Sequence, residues 1–191
     1  MRERFSNINK KHQFIFVHIP KTGGQSLSSM LELDGDVRHF TEHYIRENSE
    51  FDLKNYFSFA FVRNPWSRFL SLYFYLFGKD EDRYEDVSFK TFVNLFYSGH
   101  IIKNHRVWEK HYSSQLDYID KSCIGYVGRF ETMQSDFDVI CEKIGFNKKK
   151  LPHKNKTKHS HYTEYYDKET EKLIAEKYAD DIEYFGYSFG Q

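Results

Sequence analysis

Cysteine, proline and glycine are all scarce in this 191-residue chain, at two, three and ten residues. Two cysteines, Cys123 and Cys141, cannot build a disulfide scaffold, and such usage makes a reduced, cytoplasmic setting the default. So little Pro and Gly excludes collagen-like or linker-rich organisation. No apolar run approaches about 18 residues, so no membrane span is expected. The start, Met1–Lys11, lacks the apolar stretch of a signal peptide. An excess of either charge is missing as well. Lys+Arg and Asp+Glu both number 28, which disfavours a globally basic nucleic-acid binder. What the chain has in quantity is aromatic rings: 19 Phe, 15 Tyr and 2 Trp, or 19% of residues. That share points to a bulky core, and to rings available for stacking on a base or sugar. With 39% hydrophobic residues the chain is too apolar for disorder. The length reads as one domain over residues 1–191, with residues 1–12 a flexible N-terminus.

The first ordered element is expected at Phe14–His18, an apolar run that suits a buried strand of a parallel sheet. It breaks at Ile19–Gly24 and resumes as a helix over Gln25–Leu33, with Leu27, Met30 and Leu31 at helical spacing. A second strand is expected at Tyr56–Val62, running into Arg63, with Asn64 as helix cap and Pro65 at the first helical position. Trp66, Leu70, Tyr73 and Phe77 form one apolar stripe of that helix, and Ser67 and Ser71 share another face. Further helices are expected at Ser88–Tyr97, from Met133 to a stop at Gly145, and around Lys168–Tyr178, with a strand at Cys123–Val127. Residues 147–161 hold six lysines, three histidines and no acid, and read as a basic loop. The alternation of strands and helices predicts a three-layer α/β/α fold on a short parallel sheet.

Two segments carry chemistry. Ile19–Ser26 joins a strand to a helix, where backbone N–H groups converge on one spot that suits an anion. Lys21 adds a full charge, and Thr22 and Ser26 add hydroxyls. The Walker A order is absent because Lys21 precedes Gly23 and Gly24, which argues against a magnesium-dependent ATPase or GTPase. Taken alone, the segment also fits a plain strand–helix turn. In the second segment Arg63 ends a strand at the carboxyl edge where α/β proteins bind ligands. Ser71, two turns into the next helix, could join it as a phosphate clamp; an isolated arginine paired with a surface acid is the blander account.

Together these residues resemble the sulfotransferases that use 3′-phosphoadenosine-5′-phosphosulfate (PAPS). Lys21–Ser26 is similar to their 5′-phosphosulfate loop and Val62–Ser71 to their 3′-phosphate motif. More closely, the chain resembles small bacterial relatives of carbohydrate and heparan-sulfate 2-O-sulfotransferases. Gly125–Glu131, Leu151–Thr157 and Asp181–Tyr187 extend the likeness over about Phe14–Phe189. The resemblance implies a fold akin to the P-loop nucleotide kinases and no metal. It implies that Lys21, Thr22, Gly23, Gly24, Gln25 and Ser26 hold the 5′ group, with Lys21 offsetting charge on the leaving phosphate. Arg63 and Ser71 would take the 3′-phosphate, Phe130 would lie near the adenine, and Lys156 and Thr157 would close over the nucleotide. The acceptor would be a hydroxyl on a glycan or glycolipid.

The acceptor hydroxyl needs a base, and histidine suits neutral pH. By the same resemblance His39 is the candidate, with His43 second and Glu42 third. Residues between Ser88 and Gln115, including His105, Arg106, Trp108 and His111, are candidates for the acceptor cleft, although packing also accounts for Trp108. Two rivals remain. His39-x-x-Glu42-His43 spells a zinc-peptidase pattern, yet nothing singles out the third protein ligand that catalytic zinc needs. The basic run Lys148–Lys158 with neighbouring tyrosines could instead serve a nucleic-acid or polyanion-binding module. That reading leaves Lys21 and Arg63 unexplained.

Overall fold

A computed structural model describes residues 4–77, 87–100, 110–152 and 160–191. They cluster into two compact units, one of residues 1–63 and 115–155, the other of residues 64–114 and 156–191.

The first unit carries the sheet. Strands β1 (Ile8–Asn9), β2 (Phe14–Val17), β3 (Phe57–Val62) and β4 (Tyr126–Arg129) lie in that order. β2, β3 and β4 are parallel, with Val17 opposite Ala60 and Val62 opposite Arg129, while β1 pairs antiparallel on the edge. Every residue of β2 is buried, as a strand covered on both faces requires. Phe14, Phe16, Phe59 and Phe61 line one face and pack against α1 (Gly24–Ser28) and α5 (Met133–Ile144) through Leu27, Phe137 and Ile140. On the opposite face Ser58 receives a hydrogen bond from Arg46 of α2 (Glu42–Asn48). Helices on both faces make the three α/β/α layers. Each buried Phe contributes about 1.5–3 kcal/mol, so this phenylalanine ladder dominates the unit's core.

The second unit is helical. α3 (Pro65–Phe77), α4 (Phe89–Tyr97), α6 (Lys168–Lys177) and α7 (Ala179–Phe185) surround Phe69, Phe92, Phe96, Tyr112 and Tyr178. Asn64 caps α3 as its sequence predicts, its Oδ1 accepting from the Ser67 amide at 3.3 Å. Arg68 is buried and donates to the carbonyls of Ser113 and His111; it is a structural residue.

Three expectations need correction. The N-terminal segment is ordered from Phe5 onward. Asn7 is fully buried, and its amide side chain donates to the carbonyls of Phe16 and Arg38, both at 2.9 Å. The first helix stops at Ser28, because the next residues close i→i+3 turns and Glu32 takes a positive φ of 50°. The last strand begins at Tyr126, three residues late, since Cys123 and Ile124 belong to a turn whose amides bond to Asp120. Helices α2 and α7 were not anticipated.

Candidate active site

The carboxyl ends of β2, β3 and β4 gather the chemistry of the first unit. After β2 the chain turns from His18 to Gly23, which caps α1 in the left-handed region at φ 82°. Lys21 is also left-handed, at φ 68°. For a residue with a Cβ that costs about 1–2 kcal/mol, so the turn must be held. Thr22, buried, donates its hydroxyl to the Ile19 carbonyl at 2.9 Å. Arg63 donates to the Lys21 carbonyl at 3.3 Å. Positive φ in a tight turn before a helix is the backbone form that cradles anions. The left-handed φ favours glycine at position 23, and space requires it at position 24. A Cβ on Gly23 would lie 2.2 Å from the Met133 methyl carbon, and one on Gly24 1.8 Å from Nε2 of His18. Ser26 is buried, and its amide donates to the Gly23 carbonyl at 3.0 Å; Gln25 is exposed.

Arg63 is fixed at both ends. Its amide donates to Gln115 Oε1 at 2.8 Å and its carbonyl accepts from Gln115 Nε2 at 2.9 Å. Its guanidinium lies 4.1 Å from the centre of the Phe130 ring, a cation–π contact that holds the fork in place. Phe130 stands on a 3-10 turn, Phe130–Thr132, directly after β4. Asp136 organises that turn. Its carboxylate accepts from the Arg129 amide, the Tyr126 hydroxyl and the Thr132 hydroxyl at 2.6–2.9 Å. Burial works against its ionisation, but these hydrogen bonds prevail and hold it below the usual carboxylate range. Gln115, Met133 and Asp136 escape sequence reasoning because their partners are distant or backbone atoms; only the acid near a helix start was a visible signal for Asp136.

His39 is half-buried, with Nδ1 2.9 Å from the His18 carbonyl. A carbonyl only accepts, so Nδ1 carries a hydrogen, and in the neutral ring Nε2 then has the lone pair. The His39 ring packs on the His18 ring at 4.2 Å, and His18 packs on Gly24. The anion turn and the imidazole are thus neighbours through one residue. His43 lies elsewhere: it is exposed on α2, with Nε2 3.1 Å from Glu47. Glu42 is fully buried and gripped by Arg46 at 2.9–3.0 Å, with the Cys123 thiol also donating to it. The three residues of the zinc-like pattern therefore face different surroundings. Among the described residues no group of three or more His, Cys, Asp or Glu is placed to hold a metal.

Ser71 is half-buried on α3 in the second unit. In that unit His111 stacks on Tyr75, with ring centres 6.0 Å apart. His105, Arg106, Trp108, Lys156 and Thr157 lie outside the described residues, as does most of the basic run. Of its described part, Lys148 pairs with Glu142 of α5. Cys123 and Cys141 are free thiols. Among the described residues no helix is long and apolar enough to cross a membrane.

The carboxyl edge of the parallel strands of this α/β fold thus carries a left-handed turn before a helix, an arginine clamped by its main chain, and a half-buried imidazole. Residues 5–188 match the model described as Sulfotransferase family. The chain belongs to the sulfotransferase family, and that membership supports sulfotransfer as its activity. Neither a curated protein nor a solved structure matches it.

Proposed function

We propose that this protein transfers a sulfuryl group from PAPS to a hydroxyl of a carbohydrate, a glycan or glycolipid, in a reducing cytoplasmic setting and without a metal. The observation that carries the reading is the placement of the strained Lys21 turn, Arg63 on Phe130, and His39 on one edge of one sheet. The residues fit such a donor: a turn with a left-handed glycine followed by one with no room for a Cβ, a lysine held in a fixed backbone state, and a second cation fixed by its own main chain. Lys21 to Ser26 hold the 5′ phosphosulfate, with the Thr22 hydroxyl serving the turn itself. Arg63 takes the 3′-phosphate, and Ser71 joins it on the strength of the motif alone, as do Lys156 and Thr157. Phe130 lies beside the adenine.

The donor supplies a sulfuryl group already bonded to a good leaving phosphate. His39 Nε2 removes the acceptor's proton as that oxygen bonds to sulfur. Lys21 and the turn amides offset the charge that grows on the bridging oxygen as its bond to sulfur breaks.

The test is transfer of labelled sulfuryl from PAPS to a panel of glycans and small alcohols. His39→Ala should lose most of the rate while nucleotide affinity stays within about twofold, since a base touches the acceptor. Transfer to alcohols but to no glycan would overturn the carbohydrate assignment. No transfer, together with no binding of adenosine 3′,5′-bisphosphate, would overturn the donor.

A further inference from the structure

We propose that His18 is a positioning residue that joins the donor turn to the base, an inference that rests on His39 acting as that base. His18 follows the last residue of β2, where a buried strand becomes the Ile19–Gly23 turn, and only 8% of it is exposed. A histidine buried at a sheet edge would ordinarily be spare packing. Here the ring lies between the Gly24 end of the donor turn and the His39 ring. One face stacks on Phe16 of the same strand, with centres 5.5 Å apart and planes 17° from parallel. The His39 ring lies 4.2 Å away at 53°. Nδ1 is 3.3 Å from the Val37 carbonyl, which can only accept, so His18 donates to the segment that carries His39. Its Nε2 edge fills the space that a Cβ on Gly24 would need.

The main chain of His18 adds a second tie. Its carbonyl takes the Nδ1 hydrogen of His39 at 2.9 Å. One residue therefore fixes the tautomer of the base through its carbonyl, and the ring plane and reach of the base through its imidazole. It also seats the first residue of α1, so the turn and the base cannot move independently. Geometry of this kind governs rate, because a misplacement of about 1 Å can cost on the order of 100-fold. The expected effect falls on rate rather than on nucleotide affinity, because the turn has ties of its own, Thr22 to Ile19 and Arg63 to Lys21, that do not run through the imidazole. Gly24 completes the device, since any side chain there would push the ring against His39.

The experiment uses the full chain with His18→Phe, which keeps an aromatic ring and loses Nδ1, and His18→Asn, whose Nδ2 can replace that donor. His18→Phe should lower kcat by about 10- to 100-fold with KM for PAPS and affinity for adenosine 3′,5′-bisphosphate near wild type. His18→Asn should recover part of the loss. In a His39→Ala background His18→Phe should have no further effect, because it acts through the base. Nitrogen chemical shifts of the imidazoles give a readout independent of turnover. Wild-type His39 should be in the Nδ1–H tautomer and should keep it in His18→Phe, whose main-chain carbonyl is unchanged, while its imidazole shifts move as the ring loses its neighbour. A wild-type His39 in the Nε2–H tautomer overturns the proposal, and so do additive effects in the double variant. Full activity in His39→Ala would instead remove the base assignment on which it stands, and full activity in His18→Phe beside an inactive His39→Ala would remove His18 alone.

Discussion

Lys21 adopts a backbone state that a side chain resists, and neighbours impose it. Its φ of 68° persists because Arg63 holds its carbonyl and Thr22 closes the turn behind it. Strain kept by surrounding contacts supports the role proposed for the Lys21 side chain. Lys21→Ala and Lys21→Gly separate the backbone from the charge. Both should cut turnover by roughly 100-fold or more, the scale of losing one transition-state contact. Their stabilities should differ. Glycine relieves about 1–2 kcal/mol of left-handed strain and adds about 0.5–1 kcal/mol of unfolded-state entropy. Lys21→Gly should thus melt at or slightly above the wild type, and Lys21→Ala no higher than it. A Lys21→Gly protein that keeps full sulfotransfer would show that the turn needs only its shape.

At the scale of elements, the segment from Asp36 to Asn48 decides which acid or imidazole can act. Thr41 caps α2, accepting from the Tyr44 amide at 3.1 Å, and this turns Glu42 inward to Arg46 and His43 outward to Glu47. Removing one partner of a buried ion pair costs about 3–5 kcal/mol. Glu42→Ala should therefore lower the melting temperature sharply, whereas His39→Ala, half-buried beside a carbonyl, should affect turnover far more than stability. The β4–α5 connection makes a second element-level case. The folded carboxyl of Asp136 is depressed, so its contribution is present above the unfolded value near 3.9 and fades as pH falls through the folded one. Asp136→Asn should be less stable than wild type at neutral pH, and the gap should narrow below about pH 4, as chemical denaturation at both pH values would show. A gap that widens in acid would contradict the sign.

The same elements show what could be read from the chain alone. β2, β3, α3 and α5 were legible because local signals agree with the fold: uninterrupted apolar runs, Asn64 before Pro65, and Gly145 after Ile144 at φ 71°. β1 was not, because two residues carry no period and the strand is held by Asn7 and Phe16, nine positions apart. α2 offered only the Thr41 cap, since Ile45 is its one buried apolar residue. At the site, Lys21, Gly23 and Arg63 stood out by motif. Gln115 and His18 did not, because their side chains meet backbone atoms 52 and 19 positions away.

For the whole molecule, balanced charge has a consequence for ligand binding. Lys+Arg and Asp+Glu are equal at 28 each, so no overall field draws in a nucleotide carrying several negative charges. Binding must come from local groups, and the chain route limits which ones. The first unit is assembled from two stretches, 1–63 and 115–155, and Arg63 and Gln115, the residues at their junctions, hold each other by two hydrogen bonds. Arg63 is thereby a cation whose main chain is fixed on both sides, and its guanidinium also braces the Lys21 turn, to which the 5′ group is assigned in the proposed function. If it meets the 3′-phosphate, one phosphate on a ligand should be felt almost wholly at this residue. A charge-assisted, partly desolvated contact contributes about 1.5–3 kcal/mol, or about 10- to 150-fold in affinity. Adenosine 3′,5′-bisphosphate should accordingly bind wild type about 10- to 150-fold more tightly than AMP. Arg63→Ala should erase most of that preference. It should also weaken AMP somewhat, because the Lys21 carbonyl loses its donor and the turn its brace. Ser71→Ala should reduce the preference mildly and leave AMP unchanged. Titration calorimetry of both nucleotides with the three proteins reads these differences directly. Equal affinities in the wild type would remove the 3′-phosphate site, and an Arg63→Ala protein that weakens both nucleotides equally would leave Arg63 only as the clamp on Lys21.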